Sequence, residues 1–446
     1  MDDRTPPLRL LCSDELGQLK VVQTADGTQL STAALAATWG QPDKLKWIDC
    51  IALGSAGGIE DIETAVLAVS RRNGSIELLS AISGQLVATI PAVAVGSDSQ
   101  QPSPPQQGEE QADAVRVRGL HLLWDNEAMG SLPAVLSVTQ AGIARLHSPA
   151  GGSWEQQRSW QVPDKVCCTA YDPASSRLAV GCQGTELRLF DVTTGELVFA
   201  FKGGKPNKVG LVDRPWNTAI TFLPATSTAG GTGSGGPGDR LLVGTGHHKV
   251  RLYDKEIGKR PQMDLAWGEG RVTCMALEPS GERCWLGNGL GSIEVLDLAA
   301  KRFTGAVKGL AGAVRALAVH PEAPVLASVG LDRYMRLHST ASRKLLAKVY
   351  CKTLPTGTVA GKLTAKCFCL AMCPTDASML PALEQTEEEQ VRRKSGRRAA
   401  SEQQGNEDAE EAEAPRRQKR SQQRSEGSSR KQTDKRQRRR QAADSD

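Results

Sequence analysis

Two histidines and a lysine follow a pair of glycines in the segment GTGHHK, residues 244–249. Glycine-rich turns that end in lysine cradle phosphates, and histidines bind zinc, so these residue types suit either chemistry. A phosphate loop needs G-x-x-x-x-G-K-[ST] at the start of a helix, and the sequence contains no such pattern. Adjacent residues of a strand point to opposite faces, whereas two histidines that share a metal lie on one face. The segment therefore favours a turn, either structural or in contact with a partner, over a metal or phosphate site.

Two further segments have the residue types of reactive or cofactor-binding sites. CFCLAMC (367–373) would place Cys367 and Cys369 on one strand face, but no second half of a thiolate site appears, so core packing is favoured. GNGLGS (287–292) resembles a dinucleotide-binding loop, but no helix follows it, so we predict a hairpin. No pattern indicates a nucleophile or an acid–base pair, and we predict no cofactor, no metal and no enzymatic activity.

Seven segments of six residues alternate apolar and other side chains with a period of two, which is the pattern of a strand. They are QLKVVQ (18–23), SIELLS (75–80), IARLHS (143–148), ELRLFD (186–191), KVRLYD (249–254), SIEVLD (292–297) and YMRLHS (334–339). We therefore interpret His247, His248 and Lys249 as the hairpin turn that leads into one of these strands.

The spacing of the seven segments indicates the fold. Three of the six intervals between them measure 42 or 43 residues, the length of one four-stranded blade of a WD-type β-propeller. The longer intervals contain insertions, among them a Pro/Gln-rich segment at 95–114 and a Gly/Ser/Thr-rich segment at 224–239, which we expect to be flexible loops. We predict an all-β, seven-bladed WD-type β-propeller over residues 1–375.

One blade shows the predicted order of strands. From inside to outside they are AVRALAVH (313–320), PVLASVG (324–330), YMRLHS (334–339) and RKLLAKVY (343–350). The first repeat lacks an inner strand, because the chain begins with LRLLCSDE (8–15). We predict that the strand-like run KLTAKCFCLAM (362–372) completes the first blade and closes the ring.

The apolar runs and the cysteines of the sequence indicate the cellular compartment of the protein. No apolar run approaches the ~18 residues needed to span a bilayer, and we see no signal peptide at the acidic start of the chain, so we expect no membrane partner. Eleven cysteines without a disulfide framework indicate reduced, mostly buried thiols. These features predict a protein of the cytosol or nucleus.

The composition changes towards the end of the chain, where residues 376–446 contain almost nothing apolar, so we predict a disordered tail. Its charge occurs in blocks, with an acidic run, EDAEEAE (407–413), between basic runs. Dense basic blocks suit nuclear import and contact with nucleic acid, and the alternative is a merely solubilising tail. We expect nuclear and nucleolar localisation to depend on Arg392, Arg393, Lys394, Arg397, Arg398, Arg416, Arg417, Lys419, Arg420, Lys435, Arg436, Arg438, Arg439 and Arg440.

A basic segment, KGGKPNKVGLVDRPWN (202–217), lies between two blades and ends at Trp216 and its neighbour. Two interpretations stay open. The segment is either a solvated loop whose tryptophan packs into the next blade, or a projecting basic loop that binds a partner.

Several segments between residues 202 and 353 share their pattern with a known family. They are KPNKVGLVDRPWNTAITFL (205–223), GTGHHKVRLYD (244–254) with KRP (259–261), VKGLAGAVRALAVHP (307–321), and LASVGLDRYMRLHS (326–339) with KVYCK (348–352). Together they resemble the WD repeat-containing protein 74 family, nucleolar factors in assembly of the large ribosomal subunit. The first two hundred residues match only as diverged blades, and no Trp-Asp pair of the generic WD repeat stands at a blade end.

The resemblance implies a propeller with a basic tail that resides on early precursors of the large subunit, docks with other assembly factors and is released by an AAA-type ATPase. We therefore predict a non-enzymatic scaffold in rRNA processing and pre-ribosome maturation, which binds pre-ribosomal particles, assembly factors and pre-ribosomal RNA. The alternative is a general WD-repeat scaffold, such as a substrate receptor of a ubiquitin ligase. We expect partner contacts at Lys205, Lys208, Trp216, His247, His248, Arg260, Arg315 and Arg333.

Overall fold

A computed structural model describes residues 8–25, 29–54, 65–92, 115–124, 132–206, 210, 212–224, 236, 238–355 and 373–374. This part of the chain forms twenty-eight strands and two single-turn 3-10 helices, Leu30–Thr32 and Lys44–Lys46. None of its helices is long and apolar enough to cross a membrane. Contacts divide the chain into two units, Met1–Ala377 and Ser378–Asp446, and the described residues all lie in the first.

The strands form seven antiparallel sheets of four strands each, which are the blades of a propeller. Blades 1 and 2, from inner to outer strand, are β28 (Cys373–Pro374), β1 (Leu8–Ser13), β2 (Leu19–Gln23) and β3 (Ala34–Trp39), then β4 (Ile48–Gly54), β5 (Val66–Arg71), β6 (Ile76–Ser80) and β7 (Leu86–Ile90). Blades 3 and 4 are β8 (Val117–Leu123), β9 (Ala134–Thr139), β10 (Ile143–Ala150) and β11 (Ser153–Gln161), then β12 (Val166–Asp172), β13 (Arg177–Cys182), β14 (Arg188–Asp191) and β15 (Leu197–Ala200).

The remaining three blades follow the same order. Blades 5 and 6 are β16 (Asn217–Phe222), β17 (Arg240–Thr245), β18 (Lys249–Asp254) and β19 (Met263–Ala266), then β20 (Val272–Leu277), β21 (Arg283–Asn288), β22 (Ile293–Asp297) and β23 (Arg302–Val307). Blade 7 consists of β24 (Val314–Val319), β25 (Val325–Gly330), β26 (Tyr334–Ser339) and β27 (Leu345–Tyr350). The first strands of successive blades from 2 to 7 contact one another, which makes them the inner strands of the ring.

The apolar core lies between neighbouring blades as well as within each sheet. One buried cluster contains Leu10 of β1, Leu67 of β5 and Ala327 of β25, and so joins blades 1, 2 and 7. All six residues of β25 are buried, whereas exposed and half-buried residues alternate along most of the outer strand β23. Apolar burial contributes about 25 cal/mol per Å², so packing of blade against blade stabilises the ring.

The structure confirms the all-β, seven-bladed fold that the repeats predict. Each of the seven alternating segments forms the third strand of a blade, and blade 7 has its four strands in the predicted order. GNGLGS spans the end of β21 and the turn into β22, as predicted for a hairpin. One detail was wrong, because the turn of blade 5 consists of Gly246, His247 and His248, and Lys249 is already the first residue of β18.

The first blade receives its inner strand from a distant part of the chain. In β28, Cys373 pairs with Arg9 and Pro374 with Leu8 of β1. The run predicted to close the ring, 362–372, lies outside the described residues, as do the insertion 95–114 and most of the insertion 224–239.

After blade 7 the chain crosses to blade 1. The Thr353 hydroxyl donates to Asp14 Oδ2 at 2.7 Å, and the backbone amide of Glu15 donates to the carbonyl of Leu354 at 2.9 Å. Asp14 also forms an isolated bridge with Pro355. Residues 353–355 therefore fasten the last blade to the first at the turn that follows β1.

Candidate functional site

Six inner strands begin with the same local geometry. The first residue of the inner strand pairs with the last residue of the second strand of the same blade. A register shift then leaves the second residue of the inner strand unpaired. A β-bulge of this kind re-aims the side chain of the extra residue. The bulged residues of blades 2 to 7 are Asp49, Arg118, Cys167, Thr218, Thr273 and Arg315.

The same pairing defines one face of the ring, which we call the top face. The inner strands begin there, and the turns between second and third strands lie beside them, since Asn217 pairs with Thr245 and Val314 with Gly330. One residue precedes each inner strand at this face. In blades 2 to 7 these residues are Trp47, Arg116, Lys165, Trp216, Arg271 and Ala313.

A cavity of about 610 Å³ opens at the centre of the top face. Apart from Asp49, all the bulged residues and all the residues before them line it, and Glu15, Leu354 and Pro355 line it from the side of blade 1. The volume falls within the range of about 300–1,000 Å³ that is usual for ligand sites. We call this cavity the channel mouth.

The channel mouth is strongly positive. Five of its lining residues are cations: Arg116, Arg118, Lys165, Arg271 and Arg315. Arg116 forms an ion pair with the buried carboxylate of Asp49 at 2.8 Å. The other four form no ion pair within the described part of the chain.

Two of these cations, Arg118 and Arg315, are bulged residues whose guanidinium groups line the mouth. Arg118 donates from Nε and Nη2 to the neutral side chain of Gln140, at 2.9 and 2.7 Å, so its charge is not compensated. The Nε of Arg315 is buried and has no hydrogen-bond partner among the residues that the structure describes. Burial lowers the pKa of Arg315, and the positive charge of Arg271 lowers it further. Like charges held together in a concave site favour an anionic ligand.

Cys167 is the bulged residue of blade 4, and it lines the mouth together with Cys50 and Cys168. Burial raises its pKa, and the charge of Arg118 and a hydrogen bond with Trp216 offset only part of the rise. The thiol therefore stays protonated at neutral pH and is not activated as a nucleophile.

Exposed apolar side chains also lie in segments at the top face. Leu45 precedes blade 2, Val212 precedes blade 5, and Leu290 and Leu331 lie in the turns of blades 6 and 7. All four are exposed large hydrophobic residues, and Leu45 exposes 83% of its surface. Exposed apolar side chains gathered on one face are a feature of protein-binding surfaces. We call these four residues the apolar rim.

The structure brings several predicted contact residues together at the top face. Trp216 and Arg315 line the channel mouth. His247 and His248 form the turn of blade 5, and Arg333 is exposed in the turn of blade 7 with a left-handed φ of 65°.

The other predicted contact residues lie elsewhere. Lys205 is exposed in the segment between β15 and β16. Arg260 lies between β18 and β19 and donates to the carbonyls of Gly203 and Gly204, so it holds that segment in place. Lys208 and all the predicted localisation residues of the tail lie outside the described residues.

The described parts of the basic segment 202–217 lie against blade 5. Asp213 accepts from Lys249 Nζ at 2.6 Å and from Arg251 Nη2 at 3.3 Å. The carbonyl of Arg214 contacts His247 Nε2 at 3.0 Å. The half-buried Trp216 packs edge to face against His247, with ring centroids 5.8 Å apart. This packing matches the interpretation in which the tryptophan packs into the next blade, and it also places the indole at the channel mouth.

Gly246 explains how the indole fits there, because a Cβ at this position would come within 2.1 Å of the Trp216 ring. We expect Gly246→Ala to displace Trp216 and to destabilise the fold by about 2 kcal/mol, as overpacking does. Thermal unfolding followed by tryptophan fluorescence measures the effect.

Gly289 is the matched control, because it follows the last residue of the second strand in blade 6 as Gly246 does in blade 5. A Cβ at Gly289 meets only the Arg271 side chain, at 3.4 Å. We expect Gly289→Ala to change the melting temperature little. Equal melting temperatures for the two variants would contradict the tight packing of Trp216.

Sequence patterns alone missed Trp47, Arg116, Arg118, Lys165 and Arg271. A local signal for them exists: in each of these inner strands a polar or aromatic residue stands on one or both sides of the first buried apolar residue, as in RVR (116–118), KVC (165–167) and RVT (271–273). Among the described residues, no group of three or more His, Cys, Asp or Glu side chains is placed to hold a metal ion.

Comparison with known proteins gives relatives for about half of the chain. The chain is 36% identical to WD repeat-containing protein 74 of Homo sapiens over 197 residues. This matched segment covers 43% of this chain and 48% of that protein. The Mus musculus protein of the same name is 34% identical over 225 residues, or 49% of this chain and 56% of that protein. Ribosome biogenesis protein nsa1 of Schizosaccharomyces pombe is 28% identical over 177 residues, or 39% of this chain and 45% of that protein.

No family model matches the chain. The chain spans about half the length of the curated relatives that it matches. The resemblance to WD repeat-containing protein 74 that the sequence motifs indicate is therefore confirmed, and the chain is a seven-bladed β-propeller similar in sequence to that protein.

Proposed function

We propose that this protein is a non-enzymatic scaffold in the assembly of the large ribosomal subunit, and that it acts in the nucleolus. Its propeller binds other assembly factors on pre-ribosomal particles, and its basic tail contributes contact with pre-ribosomal RNA. The observation that carries the proposal is the top face, which combines a cationic channel mouth with the exposed residues of the apolar rim. The names of its relatives, WD repeat-containing protein 74 and ribosome biogenesis protein nsa1, supply the process.

The chemistry of the channel mouth supports binding rather than catalysis. Guanidinium groups keep their charge at every physiological pH, so they orient and hold anions but do not exchange protons. The thiol of Cys167 is protonated, because burial raises its pKa. A scaffold of this kind needs a means of release from the particle, and the proposal includes an AAA-type ATPase in that role.

A division of labour between propeller and tail follows from their residue types. The tail carries dense basic runs such as KRQRRR (435–440), whose positive charge suits import and salt-sensitive attraction to RNA. The propeller offers fixed geometry at Trp216, His247, Arg315 and Arg333, which suits specific docking.

The test is the sedimentation of the tagged protein in a gradient of nuclear extract. We expect the full chain to sediment with precursors of the large subunit. A chain that ends at Pro381 is expected to lose nucleolar enrichment, since the tail blocks are removed, and to regain association with the precursors once it is fused to an unrelated nuclear import signal. A rescued propeller that stays off the precursors, while the tail alone binds them, would reverse the assignment of roles.

The rival hypothesis is a general WD-repeat scaffold such as a ubiquitin-ligase substrate receptor. Pull-down of the tagged full chain from nuclear extract separates the two. Ribosomal proteins and assembly factors among the captured proteins support the assembly role, and ligase subunits in their place support the rival.

A further inference from the structure

We propose that the channel mouth is the docking site for a short acidic segment of a partner protein, which also carries apolar side chains and enters along the axis of the ring. The proposal rests on the scaffold function and names the chemistry of one partner. Three features of the top face carry it: uncompensated charge, axial convergence and the apolar rim.

The positive charge of the mouth favours a ligand that carries carboxylates. Arg118, Lys165, Arg271 and Arg315 line it without an ion pair among the described residues, and Glu15 is the one carboxylate in the described part of the lining. Within the described part of the chain, the buried Nε of Arg315 has no acceptor. A guanidinium that lacks an acceptor in a partly dry site gains most from a charged oxygen, because such hydrogen bonds are stronger than neutral ones.

The arrangement of these cations sets the direction of approach. Arg118 and Arg315 are bulged residues of blades 3 and 7, and Lys165 and Arg271 precede the inner strands of blades 4 and 6. Four separate blades thus present positive charge to one cavity of about 610 Å³. A ligand reaches all four only from the axis, which excludes a nucleic-acid duplex and admits a narrow extended segment.

The apolar rim distinguishes a peptide from a polyphosphate. Leu45, Val212, Leu290 and Leu331 are exposed in segments at the top face, and Leu331 lines the mouth itself. Exposed aliphatic side chains gain nothing from phosphates, whereas they bury apolar side chains of a bound peptide and shield its ion pairs from water.

The tryptophans at the mouth make single-stranded RNA a poorer fit. Proteins that bind such strands stack bases on open aromatic faces. Trp47 already lies under the Arg72 guanidinium, 5.8 Å from its ring centroid. Trp216 packs against His247 and Gly246. Neither indole is a free platform, so an acidic peptide is favoured over RNA.

The experiment uses the full chain and four labelled probes, with binding followed by fluorescence anisotropy. The first probe is a peptide of about ten residues made of Asp and Glu with two leucines. The second replaces its acids by Asn and Gln, the third lacks the leucines, and the fourth is oligouridine of similar length. We expect the first probe to bind most tightly and the second to bind at least tenfold more weakly.

Variants locate the binding. Arg271→Glu is expected to raise the Kd of the acidic peptide about tenfold, which corresponds to ~1.4 kcal/mol. Arg302→Glu is the matched control, since Arg302 is exposed on the outer strand of the same blade, and it is expected to leave the Kd unchanged. Leu290→Ser is expected to weaken the peptide with leucines and to spare the peptide without them, which a mere loss of folding would not do.

Each alternative result overturns the proposal. An unchanged Kd in Arg271→Glu places the acidic peptide elsewhere, and tighter binding of oligouridine that is lost in the same variant makes the mouth an RNA site. Absence of binding by any probe removes the site altogether. The scaffold function is tested separately: a chain that sediments with large-subunit precursors but binds no acidic peptide keeps its function without this site.

Discussion

Replacing Asp332 by alanine is expected to destabilise the propeller by about 3 kcal/mol, the cost of removing one partner from a buried ion pair. Asp332 accepts a short hydrogen bond from Arg336, whose side chain is only 3% exposed. It also accepts from the backbone amides of Ala311 and Tyr334, both at 3.3 Å. The variant loses the turn contacts and leaves a buried guanidinium without its anion. The midpoint of urea unfolding measures the loss.

The neighbouring residue in the same turn is the control. Arg333 is exposed and forms no ion pair within the described residues, so we expect Arg333→Glu to keep the unfolding midpoint of the wild type. Because Arg333 lies on the top face, we expect Arg333→Glu to weaken association with pre-ribosomes instead. Equal loss of stability in Asp332→Ala and Arg333→Glu would falsify this separation between a structural and a partner-binding residue.

The same ion pair predicts a dependence on pH. Burial would raise the pKa of Asp332, but the hydrogen bond from Arg336 and the amide of Ala311 outweigh it and hold the pKa below its ordinary value. A carboxylate with a lowered pKa stabilises the fold above its unfolded pKa of about 3.9, and this contribution is lost as the pH falls through the folded value. The stability difference between the wild type and Asp332→Asn is therefore expected to be largest at neutral pH and to shrink below about pH 4.

The two roles of Asp332 illustrate what sequence patterns predict. A hairpin between the predicted strands PVLASVG and YMRLHS needs a turn, and an aspartate there caps backbone amides, so the turn contact follows from local residues alone. The ion pair does not, because Arg336 stands at a polar position of an alternating strand and its burial depends on how blade 7 packs. Because of this ion pair, the loss that we expect is larger than the roughly 1 kcal/mol of a single hydrogen bond.

The channel mouth shows more strongly that local patterns can be predicted from the sequence, whereas contacts between blades cannot. The seven third strands could be predicted because alternation with a period of two is a local pattern. Arg118, Lys165 and Arg271 lie in three different blades, and only the common register of the inner strands brings them to one cavity. Trp216 and Arg315 were singled out from the basic segment and the family resemblance, but their shared position required the closed ring.

Ending the chain at Cys351 is expected to lower the melting temperature of the propeller by roughly 10–20 °C, because each 1 kcal/mol shifts the Tm of a large domain by about 2–4 °C and several kcal/mol are lost. The cut removes Thr353 and Leu354, which fasten blade 7 to Asp14 and Glu15. It also removes β28, so β1 becomes the innermost strand of blade 1 and its edge loses the pairs of Leu8 and Arg9. A ring of repeats whose terminal units are not joined opens from its ends.

Two controls assign this loss to ring closure rather than to the tail. A chain that ends at Pro381 keeps Thr353, Leu354 and β28 and is expected to melt like the full chain. Thr353→Val removes the hydroxyl that donates to Asp14 Oδ2 and is expected to cost about 1 kcal/mol, the usual net value of one hydrogen bond. Differential scanning calorimetry of the three proteins beside the full chain gives the comparison. If the chains that end at Cys351 and at Pro381 melt at the same temperature, the link between blades 7 and 1 contributes nothing and the ring is held closed by packing of the blades alone.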